Sequence, residues 1–291
     1  MLRRYLALAL VTGCFRPAPA PGAPCSGLLE CPQGLVCDTA AAPPVCVETI
    51  SDAAPPDSAD GPPPPAPITW REVVSGSLHN TMLSEVTTGA PIAVAPGDLF
   101  LAFVSVKPPH GITSISGLDL TWTRLRQQCG GRNTARAALF WATGPMPRAG
   151  AVTVTLNGGT AFLGSAVLSV HRYSGAHPVM PVGNLTFANT NGADGDALCS
   201  GGSDTLTYDF TLATTVPGAV VVSGVHTSNS THDPGAGFTE RSDVQSADDS
   251  VTAGIAVEDQ TIAAPTPNVP ISGSFVGGAP DWAAIAIELR P

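Results

Sequence analysis

Lysine is almost missing from this 291-residue chain: Lys107 is the only one, and the arginines are scattered. With no basic patch, nothing is present to neutralise a run of phosphates, which excludes nucleic acid as a partner. Charged residues make up 12% of the sequence, about half of the roughly 25% usual in globular domains. Serine, threonine and glycine take their place, a mixture that suits exported β-proteins better than cytosolic enzymes. Catalytic signatures are missing too. No serine has glycine two residues away on both sides, so the strained GxSxG turn of many hydrolases is not written here. None of the six histidines opens an HExxH metal motif. These absences lead us to expect no enzyme activity and no cofactor.

What is present begins with an address. Residues 6–14 read LALALVTGC behind the positive pair Arg3 and Arg4. A transmembrane helix needs about 20 apolar residues. The run Tyr5–Val11 is less than half that, and Arg16 followed by repeated prolines ends it. A positive segment, a short apolar run and small residues together form the pattern of a cleaved export signal. Here the small residues lead straight into a cysteine, as Val11-Thr12-Gly13-Cys14. This resembles the lipobox of bacterial lipoproteins, with valine where that family prefers leucine. The resemblance implies a signal peptide over 1–13, lipid on Cys14, an anchor segment over 14–24 and attachment to a membrane. Each buried CH₂ of such an anchor contributes about 0.8 kcal/mol. Phe15 follows the cysteine in place of aspartate, which resembles lipoproteins sent to an outer membrane, with secretion as the other destination. Removing Arg3 and Arg4 from a net charge of −10 leaves −12 on the mature chain.

Seven cysteines are an odd number for a secreted protein. Lipid on Cys14 leaves Cys25, Cys31, Cys37, Cys46, Cys129 and Cys199, enough for three disulfides. Residues 25–46 are too few to bury a core, so their order must come from covalent staples. They look like the small cysteine-rich modules with a CPxGxxC centre found in bacterial surface lipoproteins, here Cys31 to Cys37. Four cysteines allow three pairings, and the sequence does not choose among them. Zinc is the alternative, but it lacks a CxxC pair or a nearby histidine. A pairing of Cys129 with Cys199 would staple distant parts of the large domain together.

Residues 47–67 are a proline-rich linker. Seven prolines between Ser51 and Pro67 favour an extended spacer, at about 3.1 Å per residue. From 68 to 291 the texture changes to short runs with period-two alternation, punctuated by Gly, Pro, Asn and Asp. The expected strands are 99–107, 120–126, 137–142, 152–156, 166–172, 205–211, 219–226, 251–257 and 283–289. Two of them, LFLAFV and AVVVSGV, are apolar on both faces and read as central strands. The fold class is all-β, a jelly-roll-like antiparallel β-sandwich.

The domain also repeats itself. PGDLFLAFVSV from Pro96 matches PGAVVVSGVHT from Pro217, and AVLSVHR from Ala166 matches AAIAIEL from Ala283. Halves 68–174 and 182–291 are therefore duplicates of about six strands each, forming one pseudo-symmetric sandwich or two packed ones, of which the first is favoured. These runs, with the terminal Trp282 strand, are similar to a β-sandwich domain recurring in exported bacterial proteins. That resemblance implies fold and export, not an activity.

Candidate sites are few. His171 with His177, and His226 with His232, lie six apart; a metal between them is outweighed by solvated loop histidines. Asn191, Asp194 and Asp196 offer oxygen to calcium, but Ala193 stands where a ligand is needed and no distal glutamate follows. They read as turn formers, and no metal is expected. Glu72, Glu85, Glu240 and Glu258 are the acids available to a glycosidase pair and read as scattered. Trp70, Trp122, Trp141 and Trp282 could stack on sugars, but core packing is the default for a tryptophan in a β-run. The expected function is display of a non-catalytic binding module for a glycan or a surface protein. A passive envelope protein is the alternative, and a carbohydrate-active enzyme the third.

Overall fold

The computed structural model describes residues 23–25, 31, 35–48, 66–82, 84–157, 163–247 and 249–291. The signal segment 1–13, the lipobox with Cys14 and linker residues 49–65 lie outside them. Two compact units are present, Met1–Pro63 and Pro64–Pro291. Among the described residues no helix is long and apolar enough to cross a membrane.

The first unit is a hairpin held by sulfur. Strands β1 (Leu35–Asp38) and β2 (Val45–Glu48) pair antiparallel. Cys25 bonds Cys37, and Cys31 bonds Cys46, with Cα separations of 5.9 and 5.7 Å. This interleaved pairing is one of the three the sequence left open. Its small core consists of those sulfurs and Leu35.

The second unit is built twice from the same plan. Its first half contains β3 (Thr69–Met82), β4 (Glu85–Thr87), β5 (Leu99–Lys107), β6 (Gly111–Gly117), β7 (Thr123–Cys129), β8 (Arg136–Thr143), β9 (Val152–Asn157) and β10 (Leu163–Ser174). They form a five-stranded sheet, β3-β10-β5-β8-β7, and a three-stranded sheet, β4-β9-β6. The second half contains β11 (Val182–Asn189), the short β12 (Gly192–Ala193), β13 (Thr207–Leu212), β14 (Ala219–His226), β15 (Thr231–Pro234), β16 (Thr239–Gln245), β17 (Gly254–Ile262), β18 (Val269–Val276) and β19 (Ala283–Leu289). Their order is β12-β11-β19-β14-β17-β16 over β13-β18-β15. Apart from the two-residue β12, the two orders are the same. In each half the chain crosses repeatedly between the large and the small sheet, which is the jelly-roll winding. The apolar-on-both-faces strands β5 and β14 are central, as their composition requires. Each follows a Pro-Gly turn in which Gly97 and Gly218 take φ of 79° and 72°, a conformation glycine adopts without a steric penalty.

One expectation is corrected. The halves do not share a single sandwich: each is a complete one, with eight or nine strands where about six were expected. One apolar core lies between the two sheets of the first half, around Phe100, Val104, Phe140 and Leu168. Another lies within the second half, around Phe210, Phe238, Ile271 and Trp282. The third core joins the two large sheets back to back through Leu99, Leu101, Phe103, Leu139, Val222, Ile255, Ile285 and Ile287. Alternation explains the arrangement. Along β5 the odd residues Leu99, Leu101 and Phe103 enter the joint, while Phe100, Ala102 and Val104 enter the first sandwich. The contacts are reciprocal, β3 meeting β16 as β7 meets β11, and β10 meeting β17 as β8 meets β19. This is the pattern of a pseudo-two-fold interface.

At the joint the Phe103 ring sits against Gly224, where a β-carbon would overlap it. Gly224→Val is expected to cost roughly 3 kcal/mol through overpacking, read as a lowered denaturant midpoint. Phe103→Leu in the same chain should restore part of it. An unchanged midpoint in the single variant would show that the joint is not close-packed there.

Strand ends shift for local reasons. The expected strand from Leu120 begins only at Thr123, because Leu118 and Asp119 turn at φ of 64° and 53°. The indole of Trp122 donates to the Gly117 carbonyl at 3.1 Å and anchors that turn. The expected start at Val251 moves to Gly254, since the Asp249 carboxylate accepts from the Val251 amide at 2.8 Å.

Candidate functional site

At one edge of the joint the two sandwiches enclose a polar cavity of about 220 Å³. The first sandwich contributes Lys107 from the end of β5 and Arg132 and Thr134 from the β7–β8 loop. The second contributes Asp204, His226, Ser228, Asn229 and Asp281, all from strand ends or loops. Asp281 fixes the geometry. Its Oδ1 accepts from the Arg132 amide at 2.8 Å, and its Oδ2 accepts from the Thr134 amide and hydroxyl at 2.9 and 2.7 Å. One sandwich thus holds the loop of the other. Arg132 closes the rim with a two-pronged bond to Asp204 at 2.8 and 2.6 Å. Such forks are geometrically specific.

Lys107 reaches inward and donates from Nζ to Ser228 Oγ at 2.7 Å. Burial lowers the pKa of its ammonium, and Arg132 lowers it further, against the opposing pull of Asp204 and Asp281. Ser228 lies in the turn between β14 and β15, closed by the Ser230 amide donating to Thr227 O at 3.0 Å. Its φ is 52°, at a turn position glycine ordinarily occupies. Ser228 Oγ, accepting from Lys107, donates its own proton to the Thr252 carbonyl at 3.3 Å. His226, fully buried beside them, meets Ser105 Oγ through Nδ1 at 2.5 Å. Desolvation drives its pKa down to about 3, with Lys107 adding to the effect.

The residues singled out from sequence fall elsewhere or serve the fold. His171 and His177 do not converge. His171 is buried, taking the Trp70 indole N–H at 3.4 Å and facing Ser169 at 2.9 Å, while His177 accepts from the Val179 and Met180 amides in a loop. His226 and His232 are likewise in separate networks. Asn191 donates from Nδ2 to the carbonyls of Gly131, Leu198 and Ser200. Asp194 accepts from Thr186 Oγ1 and the Phe187 amide, so both act as loop staples. Cys129 and Cys199 are bonded across the two halves, Cα atoms 5.6 Å apart. Among the described residues the only three His, Cys, Asp or Glu ligand atoms close enough to share a metal are on Cys25, Cys31 and Cys46, and those sulfurs are in disulfides.

Of the four acids, the structure brings two together. Glu240 and Glu258 are cross-strand partners on β16 and β17. His232 Nδ1 faces Glu240 Oε1 at 2.8 Å and its Nε2 faces the Tyr208 hydroxyl at 2.7 Å, which lies 3.1 Å from Glu258 Oε1. Burial pushes the Glu258 carboxyl up to about 8. Tyr208 and His232 cover Glu258 from the small sheet, while Glu240 keeps 30% of its side chain exposed at the edge of the network. Glu72 instead pairs with Arg172 at 2.9 Å, and Glu85 is exposed on β4. The tryptophans pack: Trp282 is buried in the second core, and Trp70, Trp122 and Trp141 are half-buried against the others.

Lys107 and Ser228 are 121 positions apart, the same offset that aligns Pro96 with Pro217 in the repeat, but a repeat offset by itself does not say that two positions touch. The signals present in the sequence were weak ones: a single lysine ending an apolar strand, and a Ser-Asn turn in the matching strand of the other half. A larger hollow of about 520 Å³ lies at Pro96, Gly97, Thr143, Gly144, Pro145 and Pro178. It has no ionisable side chain, so the smaller cavity is the better candidate. No known protein family, curated protein or solved structure matches this chain, so the chemistry of the cavity is read from its own residues.

Proposed function

We propose that this chain is a bacterial envelope lipoprotein that displays a binding module, and that the module takes a hydroxyl-rich saccharide in the cavity between its sandwiches. The observation that carries the binding reading is the cavity itself, which presents fixed donors and acceptors from both sandwiches in one small space. Sites for small ligands combine concavity with a few well-placed polar groups. The volume suits a sugar ring rather than a protein surface. Anchoring is supported by cysteine parity: six of the seven pair with one another, leaving Cys14 for lipid. The linker then acts as a spacer between membrane and module, at an outer membrane if the residue after the cysteine follows the common sorting rule.

The test is binding of the full chain to a panel of envelope polysaccharides and host glycans, with calcium and with chelator. Calcium-independent binding that Lys107→Met weakens at least ten-fold is the expected result. Binding unaffected by that substitution would move the site elsewhere. Silence across the panel would leave a passive envelope protein as the better reading. Replacement of Cys14 by serine should abolish metabolic incorporation of a fatty-acid label, and retained label would exclude it as the lipid site.

A further inference from the structure

Ser228 and Lys107 are arranged for more than holding a sugar. Three independent observations meet at one oxygen. Ser228 Oγ is 2.7 Å from Lys107 Nζ. The serine sits at φ of 52° in a tight turn directly after the central strand β14. Both side chains line the same cavity. Residues held in sparsely populated backbone regions concentrate at sites of chemistry, and the activated-serine arrangement requires a base within hydrogen-bond reach. Ser228 is only 5% exposed, so the cavity is the route by which a reactant reaches it.

We propose that Ser228 is an acyl acceptor and Lys107 its general base, with an O-acylated saccharide as the class of substrate. The proposal rests on the saccharide reading of the cavity. Lys107 acts as a neutral amine, a form favoured by its desolvation. The Ser228 hydroxyl, which donates to the Thr252 carbonyl in the resting arrangement, turns to the neutral amine, whose lone pair takes the proton as Oγ attacks the ester carbonyl, forming the Oγ–C bond. The carbonyl–oxygen bond to the sugar then breaks, and the proton on Nζ passes to the departing sugar hydroxyl. The products are an acyl ester on Ser228 and a free saccharide hydroxyl, with no change of oxidation state. Arg132, its guanidinium held by Asp204, lines the same cavity, and Asp281 keeps the loop carrying it in place. Asp281 is a positioning residue.

The experiment treats the full, disulfide-intact chain with p-nitrophenyl acetate and, separately, with diisopropyl fluorophosphate, and reads intact mass and the modified peptide. One equivalent on Ser228 is expected from each reagent. Ser228→Ala should remove it, and Lys107→Met should slow it at least ten-fold. Ser230→Ala, in the same turn, should leave labelling unchanged. The rate should rise with pH along a single ionisation whose midpoint lies below the ordinary lysine value of 10.5. No adduct, an adduct elsewhere, or equal rates in the Lys107 variant would overturn the proposal. Should Ser228→Ala fail to fold, the mapped peptide and the Lys107 variant still decide. Labelled Ser228 with a silent glycan panel would defeat the saccharide reading alone. Glycan binding without labelling would defeat the acyl transfer alone.

Discussion

Replacing Cys129 and Cys199 together by serine is expected to lower the unfolding free energy of the large unit by about 4 kcal/mol, the chain-entropy value for a loop of this size. The bond joins residues 70 positions apart, one in each sandwich. The folded structure should survive its loss, because the Cys199 loop is held independently. Gln128 Nε2 donates to Ala197 O at 2.8 Å, and Asn189 Nδ2 donates to Cys129 O and Leu198 O at 2.9 and 3.0 Å. Asn191 adds three further bonds to carbonyls. The effect therefore acts through the unfolded chain, which gains freedom when the loop opens. For a unit of this size each kcal/mol shifts Tm by roughly 2–4 °C, so a fall on the order of 10 °C is expected by calorimetry. A native-like spectrum with an unmoved transition would sink the argument. Asn191→Ala, which removes hydrogen bonds but not the staple, should cost less, about 1–3 kcal/mol.

Stability should also be dome-shaped in pH with its maximum near 6.5. His171 and His226 are fully buried, and desolvation lowers both to about 3, aided by Arg241 in the first case and Lys107 in the second. Between pH 3 and the ordinary histidine value of 6.5 the unfolded chain binds protons that these folded imidazoles do not. Stability therefore rises with pH across that window. Glu258 has the opposite sign. Burial raises it from 4.5 to about 8, so the folded carboxyl holds a proton the unfolded one has released, and stability falls as pH rises from 4.5 to 8. Each group contributes about 1.4 kcal/mol per pH unit within its window. Where the windows overlap the two histidines outweigh one glutamate, and between 6.5 and 8 the glutamate draws stability down. A loss of roughly 5 kcal/mol is expected between pH 6.5 and 3.5. Denaturant midpoints across this range measure it. Glu258→Gln, which mimics the protonated form, should flatten the limb between 6.5 and 8; a limb that persists would place its cause elsewhere.

How far the fold could be read in advance differed between strands. Ala219–His226 and Ala283–Leu289 were legible to the residue because both faces are buried and, His226 and Glu288 apart, every position is apolar or small. β3, the longest strand, passed unnoticed. Its sequence TWREVVSGSLHNTM lies at a sheet edge, half-buried along most of its length, so its polar residues blur the alternation. β16 is similar, TERSDVQ being shaped by partners such as Asp259, which pairs with Arg241 at 2.8 Å. The duplication was visible because repeated strands keep their order along the chain. The number of sandwiches was not read, although strands apolar on both faces, as β5 and β14 are, need cover on both sides, which the second sandwich supplies at the joint.

Local pattern was enough to establish an all-β chain, its repeat, its central strands and the pairing capacity of its cysteines, because period-two alternation and residue counts are properties of the chain itself. Which cysteines bond, which glutamates meet and where a lysine finds a serine depend on residues far apart in sequence. Lys107 ends β5 and Ser228 lies in the turn just after the matching β14, and only the back-to-back packing of the two halves brings them within 2.7 Å. Burial then gives that contact its chemistry, since a pKa shifts with the surroundings of a side chain and not with its sequence neighbours.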